Sequence, residues 1–257
     1  MKKPWLILLG VFMGLITVTN VIALEKPVEL NVSAAASLKD VLTDIQKSYL
    51  QKEPKIKIIY NFGSSGALQT QIEQGVPCDL YISAAAKQAD ALERKGLFQK
   101  GTRKNLLMNR LVLIVPMNSK IDIKSFTDLA GANVRTIGIG EPESVPAGQY
   151  ALEVFKYHGI WEGIQSKTVL GTNVRTVLTY VETGNVDAGV VYKTDALISG
   201  KVKVAATAAP DSHEPIVYPA AVLAGADHPK EAAKFLAYLS GAEATRLFEK
   251  YGFTVMN

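Results

Sequence analysis

The sequence predicts an α/β protein of two lobes, each a sheet flanked by helices, and three observations carry that prediction. Extended apolar runs alternate with stretches of helical spacing through the first third of the chain and again through its middle, an order that builds sheets with helices on their faces. The 257 residues are 48% hydrophobic and 20% charged, a globular balance with enough apolar material for two cores. The closing segment holds one extended run and two helical patterns. That is too little for a third domain, so it must return to complete one of the other two.

Taken in order, "VELNVSAA" is extended, and behind it Leu38, Val41, Leu42, Ile45 and Tyr49 fall on one helical face, with Pro54 beyond its end. "IKIIYNF" is the next strand and "GALQTQIEQG" the next helix, stopped near Gly75; "DLYISA" and "KQADALERKG" repeat the theme. "NRLVLIVPMNS" is an apolar run closed by Pro116, "SFTDLAG" a short helix with Ser125 as cap, and "VRTIGIGEP" a strand. Tyr150, Ala151, Val154 and Phe155 mark a helix from Ala147 to His158-Gly159. "KTVLG" is a brief strand. Val174, Val177, Leu178 and Val181 form a helical stripe ended by Gly184-Asn185, and "DAGVVY" is the strand after it. "EPIVYPAAVLAG" is extended, and "PKEAAKFLAYLSG" and "AEATRLFEKYGF" are helices. This order places lobe I at residues 24–106 plus 217–257 and lobe II at 107–216, hinged on two crossing strands near Leu106 and Val217.

The chain opens on "MKKPWLILLGVFMGLITVTNVIA", with two lysines, an apolar run from Trp5 to about Val18, and Val21 and Ala23 at the −3 and −1 positions of a cleavage site. That is the pattern of a secretory signal peptide over residues 1–23, with an uncleaved membrane anchor as the alternative. No lipobox cysteine follows it to take a lipid anchor, so a periplasmic protein is expected. Losing Lys2 and Lys3 lowers the net charge from +4 to +2, too little to draw nucleic acid or an acidic membrane. Cys78 is the only cysteine, so no internal disulfide forms and stability rests on core size.

Ligands of open α/β sheets bind beyond the carboxyl ends of the strands, so chemistry is sought at the strand-to-helix turns. "FGSSGALQTQI" offers two glycines and two serines at such a junction, without the lysine of a P-loop. "SAAASLKDVL", "ESVPAGQYALEV" and "GTNVRTVLTYV" are three more turns of the same character. Each brings small or β-branched residues to a first helical turn, where N–H groups lack partners and the helix carries about half a positive charge. Four such starts aimed at one point would neutralise a dianion without lysine. Ser37 and Ser65 add hydroxyls, Ala147 and Val174 only backbone N–H, and Tyr192, at the end of "GVVY", a phenolic O–H. Each residue also has an ordinary structural explanation: serines before helices cap them, and tyrosines at strand ends pack.

The segments "AAASLKDVL", "FGSSGALQTQIEQGVPCDLYISA", "VPAGQYALE", "NVRTVLTYVETGNVDAGVVYKTDA" and "EKYGF" together resemble the periplasmic molybdate-binding proteins of ABC importers, in order and over the whole chain beyond the leader. The resemblance implies the type II periplasmic-binding-protein fold: two lobes, each a mixed sheet flanked by helices, with two crossover hinge segments and the ligand in the cleft. It implies that Ser37 and Ser65 give N–H and hydroxyl to the oxyanion, Ala147 and Val174 give N–H, and Tyr192 gives its hydroxyl. It also implies a monomer that hands molybdate or tungstate to a membrane permease, with no cofactor, no bound metal beyond the oxyanion and no catalysis. Gly66, where a third serine is common in the family, and Lys193-Thr194, where smaller residues stand, depart from the pattern.

Other classes fit less well. A serine hydrolase needs a nucleophile elbow that "FGSSGAL" does not supply, and a phosphotransferase needs the missing P-loop lysine. One cysteine and the scattered His158, His213 and His228 make a poor metal site. An organic ligand would call for more aromatic residues at the turns than Tyr192 and Phe62. Another oxyanion remains the nearest alternative. No Asp or Glu stands at the candidate positions, which favours a fully deprotonated dianion over phosphate, since phosphate carries a proton and welcomes an acceptor.

Overall fold

A computed structural model describes residues 27–256; the leader assigned to 1–23 lies outside the described residues. Strand β1 (Val28–Ala35) leads through a 3-10 turn (Ala36–Leu38) into α1 (Lys39–Lys52), and β2 (Ile56–Gly63) into α2 (Ser65–Glu73). β3 (Leu80–Ile82) is followed by α3 (Ala86–Arg94) and β4 (Lys104–Met108). Next come β5 (Leu111–Pro116), β6 (Ile137–Gly140), α4 (Pro146–Tyr157), the short α5 (Trp161–Ile164), β7 (Thr168–Gly171) and α6 (Val174–Glu182). β8 (Ala188–Tyr192), α7 (Lys193–Leu197), β9 (Val202–Thr207), β10 (Val217–Val222), α8 (Pro229–Leu239), α9 (Ala242–Lys250) and β11 (Thr254–Val255) complete the described chain.

The strands form two sheets, in the orders β11-β4-β10-β3-β1-β2 and β7-β6-β8-β5-β9. Each holds a parallel trio, with β1 between β2 and β3 in one and β6 between β7 and β8 in the other. An antiparallel strand, β10 or β5, extends each trio. Both sheets are therefore mixed. The chain leaves the first sheet between Met108 and Leu111 and rejoins it between Thr207 and Val217. Because β4 runs on to Met108, the change of sheet falls at Asn109-Arg110, slightly beyond Leu106.

Alternation along the strands explains the packing. Leu80 and Ile82 face the main core with Leu30, Val32 and Ala34, while Tyr81, between them, faces a smaller cluster with Leu68, Ile72, Leu92 and Phe98 under α2 and α3. The first sheet is thus covered on both faces, which a parallel trio requires. In the second sheet α4 lies close on β6: a Cβ at Gly148 would stand 2.0 Å from the Gly140 carbonyl oxygen, so only glycine lets the helix begin so near the strand. Four elements escaped the sequence reading, the four-residue α5 among them. β9, with its polar "KVKVAAT", and β11, with two residues, are short edge strands. α7 is five residues long, too few to show a period.

Candidate functional site

The four helix starts singled out above meet at one small hollow between the sheets. The first sheet's side supplies Ala36, Ser37, Ser64, Ser65 and Ala84, and the second sheet's side supplies Val145, Pro146, Asn173 and Val174. No charged side chain lines it. The hollow is about 10 Å³, room for about one water molecule and far below the roughly 300–1,000 Å³ of pockets that take drug-sized molecules.

Each helix start can be followed donor by donor. The first N–H groups of a helix have no partner within it. In α2, Gly66 N–H donates to Ser144 O at 2.9 Å, Ala67 N–H to the Ser64 hydroxyl at 3.3 Å, and Leu68 N–H to Ser64 O at 3.0 Å. Ser64 is therefore the capping serine and Ser65 is not; among the described residues the Ser65 N–H is the one left over. In α6, the Asn173 side chain accepts from Arg175 and Thr176 at 2.9 and 3.1 Å, and Asn173 O accepts from Val177, leaving Val174. In α4, Pro146 has no N–H, and Gly148 and Gln149 both donate to Val145 O, leaving Ala147. The capping chemistry thus occupies the neighbours and spares a single donor in each of α2, α4 and α6.

The hydroxyls are also tied from behind. Ala84 N–H donates to Ser65 Oγ at 2.9 Å, and Tyr81 Oη donates to Ser65 O at 2.8 Å. Ser37 Oγ lies 3.0 Å from Tyr218 Oη. Ser37 and Ser65 are 3% and 1% exposed, so neither exchanges these partners for bulk water. Of the five predicted residues, Ser37, Ser65 and Val174 line the hollow; Ala147 stands one residue behind the lining Pro146. Tyr192 is set back, its hydroxyl 3.5 Å from the carbonyl oxygen of Ala84 in the wall. Burial, with Tyr218, Tyr150 and Asp195 nearby, pushes the Tyr192 phenol well above its usual pKa, so it keeps its proton and remains a donor.

Three charged residues that the sequence reading passed over, Arg175, Asp40 and Asp195, tie the two sides together beside the hollow. Arg175, next to Val174, reaches from α6 to the other side, with Nη2 3.3 Å from Ser37 O and 2.6 Å from Asp40 Oδ2. Its Nε lies 2.6 Å from Asp195 Oδ1. These oppositely charged atoms are close but out of line for a hydrogen bond, so the pairs are held by charge more than by direction. Burial raises the Asp195 carboxyl to a pKa of about 6 against the opposing pull of Arg175, while Asp195 Oδ2 accepts from Tyr192 N–H at 3.2 Å. The lone signal in the sequence was an arginine directly after a donor position; its partners lie far away in the chain. Of the two departures from the expected pattern, Gly66 touches the opposite side through Ser144, and Lys193 is exposed.

Two mixed α/β sheets with a small hollow between their helix starts define a two-lobed solute-binding protein. The chain belongs to the family of bacterial extracellular solute-binding proteins, which it matches over residues 30–254; its members bind and carry solutes and are not enzymes. It is 49% identical over 230 residues to a Bacillus subtilis protein described as an ABC transporter substrate-binding lipoprotein, YvgL, covering 90% of this chain and 88% of that one. It is 37% identical over 262 residues to the molybdate-binding protein ModA of Escherichia coli K12, covering 99% of this chain and all of that one. Among solved structures it resembles one from Clostridium difficile, described as the substrate-binding domain of a molybdenum ABC transporter, with a TM-score of 0.68 and 39% identity over 90% of this chain and all of that one.

Proposed function

We propose that this protein captures molybdate, and tungstate in the same way, and delivers it to the membrane permease of an ABC importer. The observation that carries the reading is the single N–H spared at the start of each of α2, α4 and α6. Ser65, Ala147 and Val174 give these donors to the oxyanion, Ser37 and Ser65 add hydroxyls, and Tyr192 adds its phenol from the Ala84 wall. Helix starts hold negative charge with N–H groups and with the positive end of the helix dipole. Molybdate and tungstate are tetrahedral dianions without a proton near neutral pH, so a site of donors alone suits them, and hydrogen phosphate finds no acceptor. The name of the Escherichia coli relative, with its near-complete coverage, points to the same ligand.

The lobes expected at 24–106 with 217–257 and at 107–216, with the first crossing moved to Asn109-Arg110 as β4 requires, close on the anion, since each holds only part of the donor set. The contacts Gly66 N–H to Ser144 O and Arg175 to Asp40 belong to the closed form. The protein acts as a monomer, free in the periplasm after cleavage behind Ala23, in contrast to the relative described as a lipoprotein. Calorimetric titration with molybdate, tungstate, sulfate and phosphate tests the ligand. Tight binding of the first two and silence from the others is expected. Tight sulfate binding would shift the reading to a smaller oxyanion, and no binding by any of the four would overturn it.

A further inference from the structure

Ser37 differs from the backbone donors in one respect: a hydroxyl can give or accept. Which it does at the hollow depends on what faces its other side, and that is Tyr218 Oη at 3.0 Å. The proton between them is settled one step further back. Asn109 Oδ1 accepts from Arg110 N–H at 2.9 Å, which orients the amide. The two protons of Nδ2 then go to Thr194 Oγ1 at 2.9 Å and Tyr218 Oη at 3.2 Å. With Asn109 donating to it, Tyr218 turns its own proton to Ser37 Oγ. Ser37 already accepts from behind, so its proton is the one presented to the hollow.

We infer that Asn109 and Tyr218 are positioning residues that hold Ser37 as a donor and so select a fully deprotonated oxyanion over a protonated one. The inference rests on the proposed oxyanion site and goes beyond it, because neither residue lines the hollow. Their placement gives the chain a mechanical setting as well. Asn109 sits where the chain leaves the first sheet, Tyr218 lies on β10 just after the chain returns, and Thr194 belongs to α7 beside the second sheet. The polarity of one anion contact is thus set at the two crossings between the lobes. Ser65 reaches the same state by a simpler route, through the Ala84 N–H, which can only donate.

The test is a double-mutant cycle read by calorimetric titration with molybdate and with phosphate. Tyr218→Phe removes the donor to Ser37, so molybdate affinity should fall about tenfold, and the preference for molybdate over phosphate should narrow by a similar factor. Asn109→Asp, nearly the same shape, accepts where asparagine donated and reverses the chain: Tyr218 donates to residue 109, Ser37 donates to Tyr218, and an oxygen lone pair faces the anion. It should narrow the preference further. Both effects should vanish, to within about twofold, in a Ser37→Ala background. Effects that persist there would come from lost packing or from the added charge acting through space and would overturn the inference, as would an unchanged molybdate-to-phosphate ratio in the single variants. If the wild type binds neither ion, the functional reading falls first and the inference with it. If the wild type binds molybdate but the cycle shows no coupling, the inference alone falls.

Discussion

The two sides of the hollow would bring different chemistry to the oxyanion proposed for it. From the first sheet come the Ser65 N–H and the hydroxyls of Ser37 and Ser65, which can turn either way. From the second come the N–H groups of Ala147 and Val174, which can only give. The second side has its polarity built into the covalent chain and needs only caps that keep the neighbouring donors busy, as Asn173 does for Arg175 and Thr176. The hydroxyls of the first side have to be held in their polarity by other residues, Ala84 behind Ser65 and Tyr218 behind Ser37. A donor site can therefore be made of parts that cannot fail in polarity and parts that must be kept from failing.

The sharpest way to break that comparison is to delete a covalent donor. Val174→Pro removes the N–H but keeps α6, because proline is tolerated at the first helical position. Asn173 already has φ −160° and ψ 172°, the extended conformation required before proline. Molybdate affinity should fall by about 2–3 kcal/mol with the thermal midpoint near that of the wild type. Unchanged affinity in a titration would remove Val174 from the site.

Gly66→Ala asks whether the two sides must touch. The added Cβ would lie 2.6 Å from the Ser144 carbonyl oxygen and 2.8 Å from its Cα, so the closed form should lose about 1–3 kcal/mol to overpacking. Alanine meanwhile favours the helix. Weaker molybdate binding with undiminished thermal stability of the free protein is expected, and equal affinity would mean that this contact plays no part in the bound state.

Asp195, buried behind the second side, sharpens the comparison further. Its folded pKa of about 6 lies above the roughly 3.9 of an unfolded chain, so the folded state binds the proton more tightly. The contribution of this group to stability is full below about pH 4 and is lost as pH rises through about 6, a fall on the order of 2–3 kcal/mol. Asp195→Asn should flatten that part of the curve in denaturant unfolding between about pH 4 and pH 7; a slope identical to that of the wild type would place the titration elsewhere. Tyr192→Phe should have the smallest effect, about 1 kcal/mol of molybdate affinity, because its hydroxyl stands 3.5 Å from Ala84 O in the wall. A loss as large as that from Val174→Pro would make it a direct and dominant contact.

What was legible in the sequence divides along the same line. The turns were readable because bare N–H groups need small residues and a helix behind them, both local facts, and "FGSSGALQTQI" and "NVRTVL" display them. Which serine caps and which is spared was not readable. Ser64 and Ser65 are adjacent and alike, and only the bond from Ala67 to Ser64 Oγ separates them. The residues that hold the hydroxyls and bridge the two sides were invisible for another reason. Tyr218 is 181 positions from Ser37, and Arg175 is 138 from it; nothing periodic or local marks such pairs. The parallel trios followed from alternating strands and helices, whereas β9 and β11 gain their strand character from the neighbours they pair with and not from their own composition.

The spared N–H groups of Ala147 and Val174 also bear on how such a protein can drift. A contact made through the main chain is encoded by no particular codon. Most point mutations at these two positions leave the donor where it was, and among the twenty residues proline alone deletes it. On the proposed site, selection can then act only on what the side chains fill behind the helix, so the positions proposed to hold the ligand on this side can vary without losing the donor. The heritable record of binding is carried instead by neighbours with a single acceptable shape, such as Gly148 against β6 and Asn173 over its two amides.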